Sequence, residues 1–263
     1  DIEAAIRPDT VLVSIMAGNN ELGTLQPLAD IGRICRRHGV WFHSDAAQGF
    51  GKIPLDVNAM QIDLLSIAGH KIYAPKGIGA LYIRSSEPAV PVEPILFGSG
   101  HERGRRPGTT NVPGVVALGK AAEIAAAEME IDAARQRELR ERLWAGLVRE
   151  IPDARRNGDP ENALPHTLSV SLPGVRVEDL VPALPQICLS TGSACSSGST
   201  QISYVLRAVG LPDDLARGTL RLSLGRFTTQ AEIDRAVERI AAAVRRLRTA
   251  SRPSADVQPD GRA

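Results

Sequence analysis

The chain has 263 residues, 43% of them hydrophobic and 23% charged, with a formal net charge of +1 at pH 7. This composition is ordinary for a globular protein of one large or two medium domains, and the near-neutral balance argues against nucleic acid or a membrane surface as the main partner. No apolar run approaches the ~20 residues that span a bilayer, and no signal-peptide pattern opens the chain. Cysteines 35, 188 and 195 form neither a disulfide framework nor a zinc spacing, so a reducing, cytoplasmic setting is expected. Aromatic residues make up only 3%, which makes the expected core aliphatic.

The first half alternates strand and helix. Thr10 to Met16 predicts a buried strand that ends at the turn-prone Gly18-Asn19-Asn20. Leu28 to His38 carries a helical apolar period, and Gly39 is placed to close it. Strands are expected at Val40–His43, Ile62–Ile67 and Gly79–Ile83. Short apolar strands separated by helical stretches imply a parallel sheet covered on both faces, with the site beyond the carboxyl ends of the strands. Asn20, Asp45 and the His70-Lys71 loop all follow strands.

Residues 84–112 are rich in Pro, Gly and Arg and read as an extended loop. An Ala-rich helical region from about Val115 to Glu150, bent or broken once, leads into a second, α+β domain. There, strands are expected at His166–Leu172, Ile187–Leu189 and Thr219–Leu224, with helices near 201–209 and 230–248. The division expected is 1–128 for the larger domain, 129–248 for the smaller one and 249–263 for a disordered tail.

Several residues could carry chemistry, and each has a plainer reading. Asp45 with Gln48 three residues on is a capping-box pattern, yet a carboxylate at a strand end also suits a pyridine nitrogen. Lysine is scarce, being present only at 52, 71, 76 and 120. Lys71 could be a solvated loop residue. Small residues and His70 around it, however, would let a cofactor phosphate approach backbone N–H groups. An amine that condenses with an aldehyde and a carboxylate that keeps a ring nitrogen protonated are what a pyridoxal phosphate enzyme needs. Cys35 and Cys188 lie among apolar residues and are expected in the core. Cys195 sits in a run of Ser, Thr, Gly and Ala, where a thiolate could attack, carry a group and hand it on. Arg221 stands beside Thr219 and Ser223 on the polar side of a strand, suited either to a surface ion pair or to a substrate carboxylate.

Two decoys fall away. Gly114 to Lys120 matches a phosphate-binding loop until Ala121, where magnesium binding needs Ser or Thr. His43, His70 and His101 with Asp45 lack zinc-site spacing.

The segments Asn19-Asn20-Glu21-Leu22-Gly23, Ser44-Asp45-Ala46-Ala47-Gln48, Gly69-His70-Lys71 and Gly100-His101-Glu102-Arg103-Gly104 resemble those of cysteine desulfurases. So do Arg106-Pro107-Gly108-Thr109, Ser193-Ala194-Cys195 and Arg221 to Phe227. The chain is similar to the branch that serves iron–sulfur cluster assembly, over residues 11 to about 248. The resemblance implies an α/β, fold type I pyridoxal-phosphate transferase. It would comprise part of a large domain with a mostly parallel sheet, and a smaller α+β carboxyl-terminal domain.

It further implies that Lys71 holds the cofactor, Asp45 its ring nitrogen, and Asn20 and Gln48 its ring oxygen. His70 would lie by the phosphate and join Lys71 and Cys195 in catalysis. Thr109 would reach the phosphate held by the partner subunit of a homodimer. Arg221 with Asn20 would bind L-cysteine, and Cys195 would take up its sulfur as a persulfide, leaving L-alanine. Sulfur would pass to an iron–sulfur scaffold protein or another acceptor, with no resident metal and Cys195 as a transient iron–sulfur ligand. Two departures are expected to matter: Ala68 stands where the family usually has a phosphate-binding serine, and an amino-terminal portion of about a third is absent. The alternatives are a selenocysteine lyase and a non-catalytic truncated paralogue that acts as a binding partner.

Overall fold

The apolar segments of the first half assemble as a four-stranded sheet in the computed structural model, which describes residues 1–86, 89–191 and 202–250. Strands β1 (Leu12–Met16), β2 (Trp41–Asp45) and β3 (Leu64–Ala68) run parallel, and β4 (Gly79–Ile83) closes the order β1-β2-β3-β4 antiparallel to β3. The last strand turns back because only ten residues separate it from β3, too few for the crossover that a parallel neighbour requires.

Helices α1 (Ile2–Ala5) and α2 (Leu28–His38) precede β2. The apolar stripe of α2, Leu28, Ile31 and Cys35, is buried with Phe42, Ile62 and Leu65. Asp30 in its first turn and Arg36, Arg37 and His38 in its last complement the helix dipole, and Gly39 takes the left-handed conformation that ends it. Alternation sends Phe42 and Leu65 to the α2 side and His43, Asp45 and Ser66 to the other. That second face carries Leu12 and Leu81, both about half-exposed, so within the described residues helix cover is seen on one face.

A buried ion pair fixes the sheet at the end opposite Asp45. Asp63 accepts the Phe42 backbone N–H at 2.9 Å and Arg84 Nε at 3.1 Å. Arg84 in turn donates to the carbonyls of Val57 and Ile62 at 2.9 and 2.7 Å.

Helix α3 (Val112–Glu150) runs without a break. Its one proline, Pro113, falls in the first turn, where a missing N–H costs nothing. The strands β5 (Arg155–Asn157), β6 (Thr167–Ser171), β7 (Ser190–Thr191) and β8 (Thr219–Ser223) form an antiparallel sheet in the order β5-β6-β8-β7. Short helices α4 (Val177–Leu180), α5 (Tyr204–Ala208) and α6 (Asp213–Arg217) and the long α7 (Gln230–Ala250) complete the fold. Leu168, Val170, Leu220 and Leu222 pack with Leu143 and Leu147 of α3 and Val237, Ile240 and Val244 of α7.

By contact, the chain divides into two units. One comprises Asp1–Asn20, Thr24–Ala134 and Pro160–Leu164. The other comprises Glu21–Gly23, Arg135–Asp159 and the chain from Pro165 on.

Three expectations need correction. The strand expected at Ile187–Leu189 begins only at Ser190, where pairing with Arg221 of β8 starts. Cys188 is exposed rather than in the core, because Ile187 and Leu189 turn inward and the residue between them turns out. The helix near 201–209 is the shorter α5, with α6 separated from it by Val209-Gly210-Leu211-Pro212. The expected tail, beyond Ala250, and Cys195 lie outside the described residues. Among the described residues, no helix is long and apolar enough to cross a membrane.

Two outcomes follow for this framework. Arg84→Met should cost about 3 kcal/mol of unfolding free energy in urea titrations, because it strands the buried Asp63 carboxylate. A thiol reagent applied to the folded chain should modify Cys188 well before Cys35, whose thiol burial pushes up in pKa; peptide mapping reads the order.

Candidate active site

Parallel pairing brings three strand ends level. Met16 pairs with Asp45, and Asp45 pairs with Ser66. The backbone then ties the turns together: Ala17 N–H donates to the Asp45 carbonyl at 2.8 Å, and Ala46 N–H to the Ser66 carbonyl at 2.9 Å. Asn19 and Asn20 follow β1, Asp45 ends β2, and His70 and Lys71 sit in a 3₁₀ turn (Gly69–Ile72) that follows β3. These residues lie beyond the carboxyl edge of a parallel sheet, where this class of fold favours a site.

Asp45 is exposed and accepts the Ala47 N–H at 2.8 Å. This is an Asx-type turn, and no helix follows it, so the capping-box reading fails. The turn instead continues through hydrogen bonds from Gly49 and Phe50 N–H to the Ala46 carbonyl. Gln48 is half-buried within it, Lys71 is half-buried, and His70 is exposed. Tyr73, which ends the 3₁₀ turn, has φ of 69°, a left-handed conformation that a bulky side chain adopts only when its surroundings force it.

Two further residues of this unit belong to the edge. His43 shares the Asp45 face, and its ring is held at both nitrogens. Nδ1 lies 2.7 Å from Ser14 Oγ on β1, and Nε2 lies 2.8 Å from Ser66 Oγ on β3. Burial pushes its pKa down, with Asp45 pulling the other way. Lys52 lies in the turn after Asp45. A Cβ on its neighbour Gly51 would come within 3.0 Å of Ile72, so the turn packs directly on the Lys71 segment. Burial, then the positive charge of Lys71, lower Lys52 to about 8. The sequence carries a signal for His43, which is two residues from Asp45 on the same strand face, and the scarcity of lysine is one for Lys52.

The remaining expected residues lie on other elements. Thr109 is exposed in the segment before α3. Arg221 belongs to the second unit, on β8 between Ser169 of β6 and Ser190 of β7. It stands on the face that also carries Ser171 and Thr219, whose hydroxyls are 2.8 Å apart. Glu21, passed over in the sequence, is buried in that unit at 4% exposure. It accepts a 2.6 Å hydrogen bond from Ser203.

The aminotransferase class-V family profile matches residues 1–236, and the chain belongs to that family. A cysteine desulfurase of Homo sapiens is 52% identical over 261 residues, covering 99% of this chain and 57% of that protein. The cysteine desulfurase IscS of Anaeromyxobacter dehalogenans is 50% identical over 260 residues, covering 99% of this chain and 64% of that protein. A solved NifS-like protein superposes with a TM-score of 0.84 at 38% identity, over 93% of this chain and 64% of its own. The chain thus spans about three fifths of the length of the relatives it matches.

Lys52 gives the edge a measurable signature. Because the folded chain holds its pKa at about 8 against an ordinary 10.5, the fold binds fewer protons than the unfolded chain between those values, and the Lys52 contribution to stability rises with pH across that window. Lys71→Met should move Lys52 upward without restoring 10.5, since burial is the larger cause. Carbon-13 dimethyl-lysine NMR reads that shift.

Proposed function

We propose that the chain provides the greater part of a pyridoxal-phosphate cysteine desulfurase serving iron–sulfur cluster assembly. The observation that carries this reading is the level carboxyl edge of β1, β2 and β3, where an amine, a carboxylate and the amides of Asn20 and Gln48 stand on adjoining turns. That donor set fits the aldehyde, ring nitrogen and ring oxygen of pyridoxal phosphate. When bound, the cofactor supplies an electron sink for bonds at the α carbon of an amino acid.

Lys71 would hold the cofactor and move protons at the substrate α carbon through its Nζ. Asp45, oriented by the Ala47 N–H, would keep the ring nitrogen protonated. Asn20 and Gln48 would donate to the ring oxygen, and His70 would lie beside the phosphate. Arg221, with Asn20, would bind the carboxylate of L-cysteine. Cys195 would accept the substrate sulfur. Its thiol and L-cysteine become a persulfide and L-alanine, and the sulfur then passes to a scaffold protein. The relatives named cysteine desulfurase support this substrate.

A homodimer in a reducing, cytoplasmic setting completes the reading. Ile95, Leu96 and Phe97 are 91%, 59% and 86% exposed, and Val112 and Val116 are also exposed. Thr109 stands between these two apolar stretches, which supports its reaching a phosphate held by the partner subunit.

Adding pyridoxal phosphate to the purified chain should produce a visible absorption band that Lys71→Ala abolishes. L-cysteine should then release alanine, with Lys71→Ala lowering the rate by about 10²–10⁴-fold. Cys195→Ala should keep the band and lose sulfur transfer. A band indifferent to Lys71→Ala would overturn the assignment.

A further inference from the structure

Glu21 follows Asn20 in a turn, where an acidic side chain is ordinarily solvated. Here it is 4% exposed. Its Oε2 accepts the Ser203 hydroxyl at 2.6 Å, and Ser203, itself 7% exposed, also takes the Val205 N–H at 3.1 Å as the N-cap of α5. Leu22 beside it is buried with Ile202, Val205, Leu206 and Ala216.

The same three-residue segment lies over the polar face of the second sheet. A Cβ on Gly23 would come within 3.1 Å of the Thr167 side chain on β6. Thr167 pairs with Ser223, and Ser169 pairs with Arg221, so Thr167, Ser223, Ser169 and Arg221 share one face. Glu21 therefore sits buried on the side of the sheet from which Arg221 projects.

We propose that Glu21 is the resident counter-charge of Arg221, and that a carboxylate ligand arriving at Arg221 takes its place, so that binding is coupled to uptake of one proton by Glu21. This rests on the reading of Arg221 as the carboxylate-recognising residue. Two carboxylates beside one guanidinium in a desolvated site leave one uncompensated negative charge, which favours protonation of one of them. Glu21 is the one that cannot leave, being held by Ser203 and the apolar cluster around Leu22.

Burial already pushes the Glu21 pKa up, with the Ser203 hydrogen bond and the Arg221 charge pulling it down. Of the other groups on neighbouring elements, Arg207 of α5 faces Asp213 of α6 at 4.0 Å, and His166 is buried just before β6. Losing Arg221 to the ligand raises Glu21 further. Ligand affinity is then full below the pKa of Glu21 in the free site, and falls as pH rises from that value to the pKa in the occupied site.

The test uses propionate, a carboxylate with neither amine nor thiol, titrated into the chain at a series of pH values. Each Kd is referred to the concentration of ionised propionate, because the ligand also takes up a proton in the carboxylate range. Binding is read from the Arg221 Nε–H resonance, assigned with Arg221→Lys. The apparent Kd should rise by up to about tenfold per pH unit within the window, the slope for one linked proton. Glu21→Gln should hold Kd flat at the tight, low-pH value. Ser203→Ala removes a hydrogen bond that lowers the Glu21 pKa, so it should move the window to higher pH.

A pH dependence that survives Glu21→Gln would overturn the proposal, as would a parent chain whose propionate affinity is flat. If propionate fails to perturb Arg221 in any variant, the carboxylate role of Arg221 fails, and this proposal with it. If propionate binds but without proton linkage, the Arg221 role stands and only the role of Glu21 is lost.

Discussion

The register of three parallel strands is the constraint on which the first unit depends. Because side chains alternate, a slip of one residue between β1 and β2 would turn Asp45 and His43 toward α2 and send Phe42 to the other face. Two devices oppose that slip. Asp63, paired with Arg84, clamps the Phe42 N–H near the start of β2. The Ser14–His43–Ser66 bridge ties β1, β2 and β3 through side chains on the site face. Apolar burial against α2 supplies the driving force, and these polar contacts decide which alignment it stabilises.

The second unit shows the complementary arrangement. One face of its sheet is aliphatic and packs on α3 and α7, while the other buries hydroxyls and amides. Asn157 donates to Ser171 at 2.9 Å, and Ser171 meets Thr219 at 2.8 Å, so the buried polar atoms of this face largely satisfy one another. A guanidinium on such a face is held by a rigid strand and surrounded by short side chains. That suits recognition of a planar anion better than a long loop would.

Much of this was legible in the sequence because it is encoded locally. Apolar runs marked β1 to β4, Gly39 marked the end of α2, and Asp45 and Lys71 could be placed after strands that the structure sets side by side. What was not legible depends on distant partners. Ile187-Cys188-Leu189 reads as a buried run, and only the start of pairing at Ser190 shows that Cys188 points outward. β5 is too polar to read as a strand, since Arg155-Arg156-Asn157 sits at a sheet edge with its first residue exposed. Asp45 and Gln48 carry a helix-start pattern that the turn through Phe50 overrides. Glu21 reads as a surface residue until Ser203, 182 positions later, is seen to cover it.

That separation also bears on the order of folding. Strands β1 to β4 lie within residues 12 to 83 and can pair as soon as that stretch has been synthesised. The Glu21–Gly23 segment belongs to a unit whose other parts begin at Arg135 and whose sealing hydroxyl comes at Ser203. While the chain is being made, those three residues must wait, solvated, between parts of a sheet that has already formed. Closing so long a loop is slow compared with local pairing. Burial of Glu21 should therefore follow the pairing of β1 to β4, since it waits for Ser203 to be made.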